Sequence, residues 1–193
     1  MLDHLKKYRI ILASGSPRRK ELLSGLNIPF EVRLLENVSE SYPNTLQKGD
    51  IPLYIAKEKA DAYRPLMQAD DLLITADTIV WLEGEVLEKP ADKQEAAQML
   101  HRLSGRTHEV YTAVCLTTAD RQQTFEVCTQ VRFASLSDEE IAYYVTAYAP
   151  LDKAGAYGVQ EWIGYIGVEE IIGDYYNIMG LPLCRLYQEL LKF

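Results

Sequence analysis

The sequence predicts an α/β fold: a mixed β-sheet flanked by helices. Three observations point there. Short apolar runs of strand type alternate with segments of helical periodicity along all 193 residues. The first such run, Y-R-I-I-L-A at 8–13, passes through a small-residue turn directly into a helical segment, as a crossover unit does. In mid-chain, I-V-W-L-E-G-E-V-L at 79–87 reads as a hairpin turning at Glu83–Gly84, which needs antiparallel neighbours. No proline- or glycine-rich linker, internal repeat or low-complexity segment divides the chain, so residues 1–193 read as a single domain.

Each element follows from local chemistry. The run at 8–13 is short and apolar, so it reads as a buried strand. A helix is predicted at 17–26, with Ser16 as its N-cap, Pro17 in the first turn and Leu22, Leu23 and Leu26 on one face. P-F-E-V-R-L-L at 29–35 alternates like a strand, and 36–50, with Pro43, Asn44, Gly49 and Asp50, reads as a loop. A second helix covers 51–64, and D-L-L-I-T-A at 71–76 is a buried strand that ends at Asp77. Asp92 with Glu95 forms a capping-box-like start for a helix reaching Leu103. Two long β segments follow, near 108–118 and 123–135, and Ser137 with Glu140 opens the next helix as Asp92 and Glu95 do. A glycine-rich stretch at 153–167 leads to a strand near 165–171 and a C-terminal helix at 181–192.

Composition narrows the function classes. Hydrophobic residues are 48% of the chain, charged residues 25%, and the formal net charge is −8. That balance opposes a general nucleic-acid-binding surface, which needs clustered excess cation. No apolar run approaches the roughly 20 residues of a membrane span, and the N-terminus lacks a secretory h-region, so a cytoplasmic protein is expected. The three cysteines form no C-x-x-C pair and the three histidines have no metal-ligand spacing. Reduced thiols and no structural zinc are expected.

Against the acidic whole, S-G-S-P-R-R-K at 14–20 stands out. A strand, a small-residue turn and a helix N-terminus outline an anion site, because the first N–H groups of the helix point at the turn. Gly15 is expected to supply conformations closed to other residues. Arg18 and Arg19 stand where the helix dipole disfavours cations, so they either clasp an anion or are solvated arginines on a capped surface helix. No Walker A loop is present.

Asp77, after an apolar strand, either serves metal-assisted phosphate chemistry beyond a strand end or caps a turn with Thr78. Lys59 lies on the apolar face of its helix, where it either snorkels or points into a site. Lys89 is held extended by Pro90, Lys153 opens a glycine-rich turn, and Gln160 closes that turn with an amide able to read a base edge; each is otherwise surface decoration. Glu40, with Glu36 nearby, lies in the 36–50 loop and matters if that loop folds over the phosphate site and helps to hold Mg²⁺.

Together these blocks carry a resemblance. A-S-G-S-P-R-R-K-E-L-L at 13–23, A-K-E-K-A at 56–60, A-D-T-I-V at 76–80, G-E-V-L-E-K-P at 84–90, R-L-S-G-R-T-H at 102–108, L-D-K-A-G-A-Y-G-V-Q at 151–160 and G-D-Y-Y-N-I-M-G-L-P at 173–182 appear in this order over nearly the whole chain. The chain resembles the Maf family of nucleoside triphosphate pyrophosphatases. The resemblance implies a fold like that of inosine-triphosphate pyrophosphatases, an elongated mixed sheet with helices and a cleft between two lobes. It implies a cytoplasmic, commonly dimeric enzyme that needs Mg²⁺ or Mn²⁺ and converts a nucleoside triphosphate and water to monophosphate and pyrophosphate.

On matching positions, the resemblance implies that Ser14, Arg18 and Arg19 hold phosphates and that Lys59 and Lys89 neutralise developing charge. Asp77 becomes the proton acceptor and metal ligand, Glu40 a second carboxylate, and Lys153 a further substrate contact. Arg18, Thr78 and Gln160 resemble the set of the branch acting on dTTP and UTP. A non-catalytic nucleotide-binding regulator of cell division would need the cations but not Asp77. A 7-methyl-GTP pyrophosphatase is opposed by Thr78 and Gln160. Two positions depart from the family pattern: Ser39 stands where an acid is common, and Glu161 follows Gln160 where a glycine is expected.

Overall fold

The computed structural model describes residues 2–34 and 38–193. The expected mixed sheet with flanking helices is present. Among the described residues it has seven strands: β1 (Arg9–Leu12), β2 (Glu31–Val32), β3 (Asp71–Leu82), β4 (Glu85–Leu87), β5 (Thr107–Thr117), β6 (Gln122–Phe133) and β7 (Val168–Ile172). Their order is β2-β1-β3-β5-β6-β7, with β4 paired to β3. β1 runs parallel to both β2 and β3, with Ile11 opposite Glu31 on one side and Leu73 on the other. β4 folds back antiparallel on β3, and β7 antiparallel on β6. The helices are α1 (Pro17–Ser24), α2 (Asp50–Tyr63), α3 (Lys93–Leu103), α4 (Asp138–Tyr148), α5 (Trp162–Gly167), α6 (Tyr175–Ile178) and α7 (Leu183–Leu190). No helix of the described residues is long and apolar enough to cross a membrane.

The chain forms two compact units. The first comprises Met1–Asp77, Thr112–Val127 and Gly180–Phe193; the second comprises Thr78–Tyr111 and Cys128–Met179. In the first, α2 lays Ala56 and Ala60, both fully buried, against Ile11, Leu73 and Ala113. Two alanines on one face let the helix backbone approach the sheet closely, and interiors of this kind are packed to crystal-like density. In the second, Leu100 and Leu103 of α3 and Tyr144 of α4 pack with Leu82, Val131 and Phe133.

The caps form as the sequence predicts. Ser16 Oγ accepts from Arg19 N–H, and Asp92 Oδ1 accepts from Glu95 N–H at 2.8 Å. Ser137 and Glu140 make a full reciprocal capping box. Glu95 differs slightly, because its carboxylate reaches back to Ala91 N–H at 2.7 Å instead of to the cap residue.

Several boundaries differ from expectation. Asp77 does not end a strand: β3 continues through it to Leu82, since the β-branched Thr78, Ile79 and Val80 favour extension and the Glu83–Gly84 turn pairs Val80, Trp81 and Leu82 with β4. The turn itself is as expected, with Glu83 at φ 50° and Gly84 at φ 95°. The strand expected at 29–35 is reduced to two residues, and Leu35 and Glu36 lie outside the described residues. The glycine-rich stretch holds a helix, α5, so β7 starts later than the sequence suggests. Gly164 permits this, because a Cβ there would come within 1.9 Å of the Val159 carbonyl oxygen. The last helix begins after Pro182, and α6 was not anticipated although its N-cap, Asp174, is of the right type. Gly15 needs no left-handed conformation, and a Cβ on it would make only an ordinary 3.7 Å contact with Leu34.

Candidate active site

In the first unit, β1 delivers the chain into the small-residue turn. Ser14 is buried, and its Oγ accepts from Ser16 N–H and from Arg19 Nη1, both at 3.3 Å. Arg19 also donates from Nε to the Gly180 carbonyl at 2.8 Å. A cation in the first turn of α1 is therefore held by oxygen acceptors instead of extending along the helix into solvent. Burial pushes the Arg19 guanidinium down from its ordinary value; Asp77 opposes that, Arg18 adds to it, and Glu40 opposes it. Those four residues, two cations and two carboxylates, share one electrostatic neighbourhood. Arg18 is half-buried beside them.

Lys59 joins the same neighbourhood from α2. Its ammonium lies 2.6 Å from Glu40 Oε1 and 2.8 Å from Asp77 Oδ1, with its side chain only 15% exposed. The lysine thus does not snorkel, since its ammonium is held between two carboxylates. Its position has a local cause. Thr75, buried in β3, donates from Oγ1 to the Ala56 carbonyl at 2.6 Å, pinning α2 to the strand that carries Asp77. Asp77 caps no turn; it is a strand residue, 9% exposed.

Two carboxylates sharing one ammonium are hard oxygen donors already arranged about a cation, and the Lys59 ammonium occupies that place. Such a pair fits Mg²⁺ or Mn²⁺ when phosphate and water oxygens complete the shell. No group of three or more His, Cys, Asp and Glu that could hold an ion on its own occurs among the described residues.

In the second unit, Thr78 is half-buried in β3, and Lys89 is exposed after β4. The segment before Lys89 is tied to the glycine-rich turn, since Gly155 N–H donates to the Glu88 carbonyl at 3.1 Å. Gly155 is needed there: its φ is 67°, and a Cβ would meet Val80 Cγ2 at 2.9 Å. Lys153 is buried, with its ammonium 2.7 Å from Asp152 Oδ1 and 3.2 Å from Glu161 Oε1. It is no surface decoration. Gln160 is half-buried, and its Oε1 finds no hydrogen-bond partner among the described residues.

Sequence reasoning missed the supports of this turn. Tyr157 donates to or accepts from His108 Nε2 at 2.7 Å, and both rings meet Phe133 edge to face. In the sequence His108 closes the R-L-S-G-R-T-H block and has no metal-ligand spacing, with nothing to mark it as a support of this turn. Burial alone pushes its pKa down to about 4, so it is a neutral packing group. Tyr144 carries no signal of its own, being a tyrosine on a helix, and Glu161 is marked in the sequence only as a departure from the family pattern, with no role attached.

Comparison with known proteins completes the picture. A family model described as "Maf-like protein" matches residues 9–193. A dTTP/UTP pyrophosphatase of Phocaeicola vulgatus is 62% identical over 192 residues, covering 100% of both chains. One of Bacteroides thetaiotaomicron is 61% identical, also over 100% of both, and one of Flavobacterium psychrophilum is 50% identical over 95% of this chain and 94% of its own. Among solved structures, a HAM1 protein from Coxiella burnetii matches with TM-score 0.52 at 13% identity, covering 96% of this chain and 100% of its own. The Staphylococcus aureus Ham1 protein matches with TM-score 0.50 at 16% identity, covering 95% and 98%. At such identities the likeness is one of fold.

Proposed function

The chain belongs to the Maf-like protein family, and on that premise we propose that it hydrolyses dTTP and UTP to the monophosphate and pyrophosphate. Full-length relatives bearing that activity in their names support the reading. The observation that carries it in this molecule is the Lys59 ammonium held between Asp77 and Glu40, within the electrostatic reach of Arg18 and Arg19. A site that only bound nucleotide would want the cations without a buried carboxylate among them.

Water attacks the α-phosphorus. A bond forms from the water oxygen to phosphorus, the α–β bridging bond breaks, and pyrophosphate leaves with its electron pair. Asp77 accepts the proton of the attacking water, which requires that water within hydrogen-bond reach of a carboxylate oxygen. The Lys59 ammonium beside it orients Asp77 and offsets charge that gathers on the phosphoryl oxygens. Arg18 and Arg19 hold phosphates, and Arg19 is preorganised for this by its bonds to Ser14 and Gly180. Lys89 neutralises further charge, Lys153 binds substrate, and Thr78 and Gln160 take the base, Gln160 through an amide that offers both donor and acceptor. Asp77 and Glu40 would hold Mg²⁺ or Mn²⁺, which would supply Lewis-acid neutralisation of charge on the phosphate oxygens.

The same reading makes this a cytoplasmic homodimer that clears unwanted nucleotides, with residues 1–193 acting as one functional domain; light scattering of the purified protein tests the dimer. The reaction is tested with Mg²⁺ or Mn²⁺ by comparing dTTP, UTP, CTP, ATP and 7-methyl-GTP, detecting pyrophosphate and orthophosphate separately. Pyrophosphate from dTTP and UTP is the expected result. Binding without any pyrophosphate would replace the enzyme by a nucleotide-binding regulator, and preferential turnover of 7-methyl-GTP would move it to another branch.

A further inference from the structure

Lys153 has two counter-ions of unequal kind. The Asp152 side chain is 58% exposed, whereas that of Glu161 is 20% exposed. Asp152 makes the shorter contact, a 2.7 Å hydrogen bond, but from a side chain screened by solvent, whereas Glu161 at 3.2 Å is the counter-ion that shares the burial of a lysine whose own side chain is 10% exposed. Glu161 is itself fixed. Its Oε2 accepts from the Tyr144 hydroxyl, and that hydroxyl accepts Gly158 N–H at 3.0 Å. Burial, and then the bond to Glu161, push the Tyr144 phenol far above its ordinary value, so it stays a donor. Gly158 leaves the room the carboxyl needs, because a Cβ there would lie 2.8 Å from Glu161 Cδ. The circuit runs from Lys153 at the start of the turn, through Glu161 at its end, to Tyr144 and back to Gly158 in its middle. Gln160 sits inside that closed turn.

We propose that Glu161 is a positioning residue, which through Tyr144 holds Lys153 as a fixed, charged ammonium and so sets how the 153–160 turn presents Lys153 and Gln160 to a nucleotide. Its kinetic consequence rests on the proposed pyrophosphatase reading; its effect on Lys153 does not. A buried lysine without an opposite charge gives up its proton at lower pH. The groups facing this ammonium are Asp152 and Glu161 from its own turn and Tyr144 from α4. Tyr157 and His108, which pack the turn from beneath, are neutral at pH 7, and Glu88 and Lys89, at the Gly155 contact, are exposed.

The test is Glu161→Gln in the full chain, which keeps the size and an acceptor for Tyr144 but removes the charge. The first readout is the pH titration of the Lys153 side chain by NMR of lysine labelled at Cε, assigned with Lys153→Arg. The midpoint is expected to fall by about one pH unit or more. The second is steady-state kinetics with dTTP and Mg²⁺. KM is expected to rise about tenfold, equivalent to about 1.4 kcal/mol, with kcat changed little, and the alkaline limb of kcat/KM is expected to move down in pH. Glu161→Asp should restore part of both effects, and Asp152→Asn should cause neither. Should Glu161→Gln fail to fold, Tyr144→Phe, which loosens the same carboxylate, is expected to give a smaller shift of the same sign. An unchanged Lys153 titration overturns the proposal, as does an equal fall of kcat at all pH values with KM unchanged. Wild-type protein that makes no pyrophosphate would defeat the pyrophosphatase reading, while the NMR titration would still decide what Glu161 does to Lys153.

Discussion

Thr75 Oγ1 donates a 2.6 Å hydrogen bond to the carbonyl oxygen of Ala56, and both residues are fully buried. That bond fixes the register of α2 on β3, and Lys59 meets Asp77 because of it. Thr75→Val keeps the β-branched shape a strand favours but removes the donor. We expect a stability loss of about 1 kcal/mol in urea unfolding, accompanied by a fall in kcat, since Lys59 loses its fixed bearing on Asp77. An unchanged kcat in a stably folded variant would separate the helix anchor from the chemistry.

Asp77→Asn removes the carboxylate proposed as proton acceptor while preserving size. Turnover of dTTP should drop at least about a hundredfold, the scale of a lost general base, with nucleotide affinity by calorimetry largely intact. Near-normal turnover would remove Asp77 from the mechanism.

Arg19→Lys tests whether geometry or charge matters at the helix N-terminus. Lysine is a point charge that cannot reach both Ser14 Oγ and the Gly180 carbonyl as the guanidinium does. KM for dTTP should rise about tenfold, a loss of roughly 1.4 kcal/mol, and the loss should be smaller in kcat. Equal kinetics for the two residues would show that a diffuse positive charge suffices.

His108 makes stability depend on pH. Its folded value, about 4, lies below the ordinary 6.5 of histidine because of burial. Between those values the unfolded chain binds more protons than the folded one, so stability falls as pH drops from about 6.5 towards about 4 and is unaffected by this group above that window. The full effect is about 3 kcal/mol. Urea midpoints at pH 7.5 and 5 should therefore differ less in His108→Gln than in the wild type; equal differences would assign the acid sensitivity to other groups.

How much of this was legible in the sequence depends on the range of the interaction. Caps are local: Asp92 and Ser137 were readable from a glutamate three residues on, and Ser16 from the proline that follows it. The Glu83–Gly84 turn was readable because two consecutive residues with positive φ favour that kind of pair. The continuity of β3 was not, because the hairpin at 79–87 and the run at 71–76 read as separate strands and the apolar pattern placed a break at the polar Asp77 and Thr78. Within the site, the choice left open for Lys59 was decided by Thr75 and Glu40, which lie far from it along the chain. Glu161 shows the limit best: as a departure from a family pattern it marked a position, but its partner Tyr144 is brought to it by the packing of α4.

The tie from Arg19 to the Gly180 carbonyl spans almost the entire length of the chain. The first unit likewise joins Met1–Asp77 to Gly180–Phe193, where His4 bonds the Leu190 carbonyl and Lys7 that of Phe193. During synthesis Arg19 therefore emerges from the ribosome long before its acceptor. The nascent chain must wait, with α1 and its cations unanchored, until Gly180 and α7 have cleared the exit tunnel. A fragment ending short of Gly180 would contain every residue assigned to the chemistry and still lack the means to hold Arg19 in place.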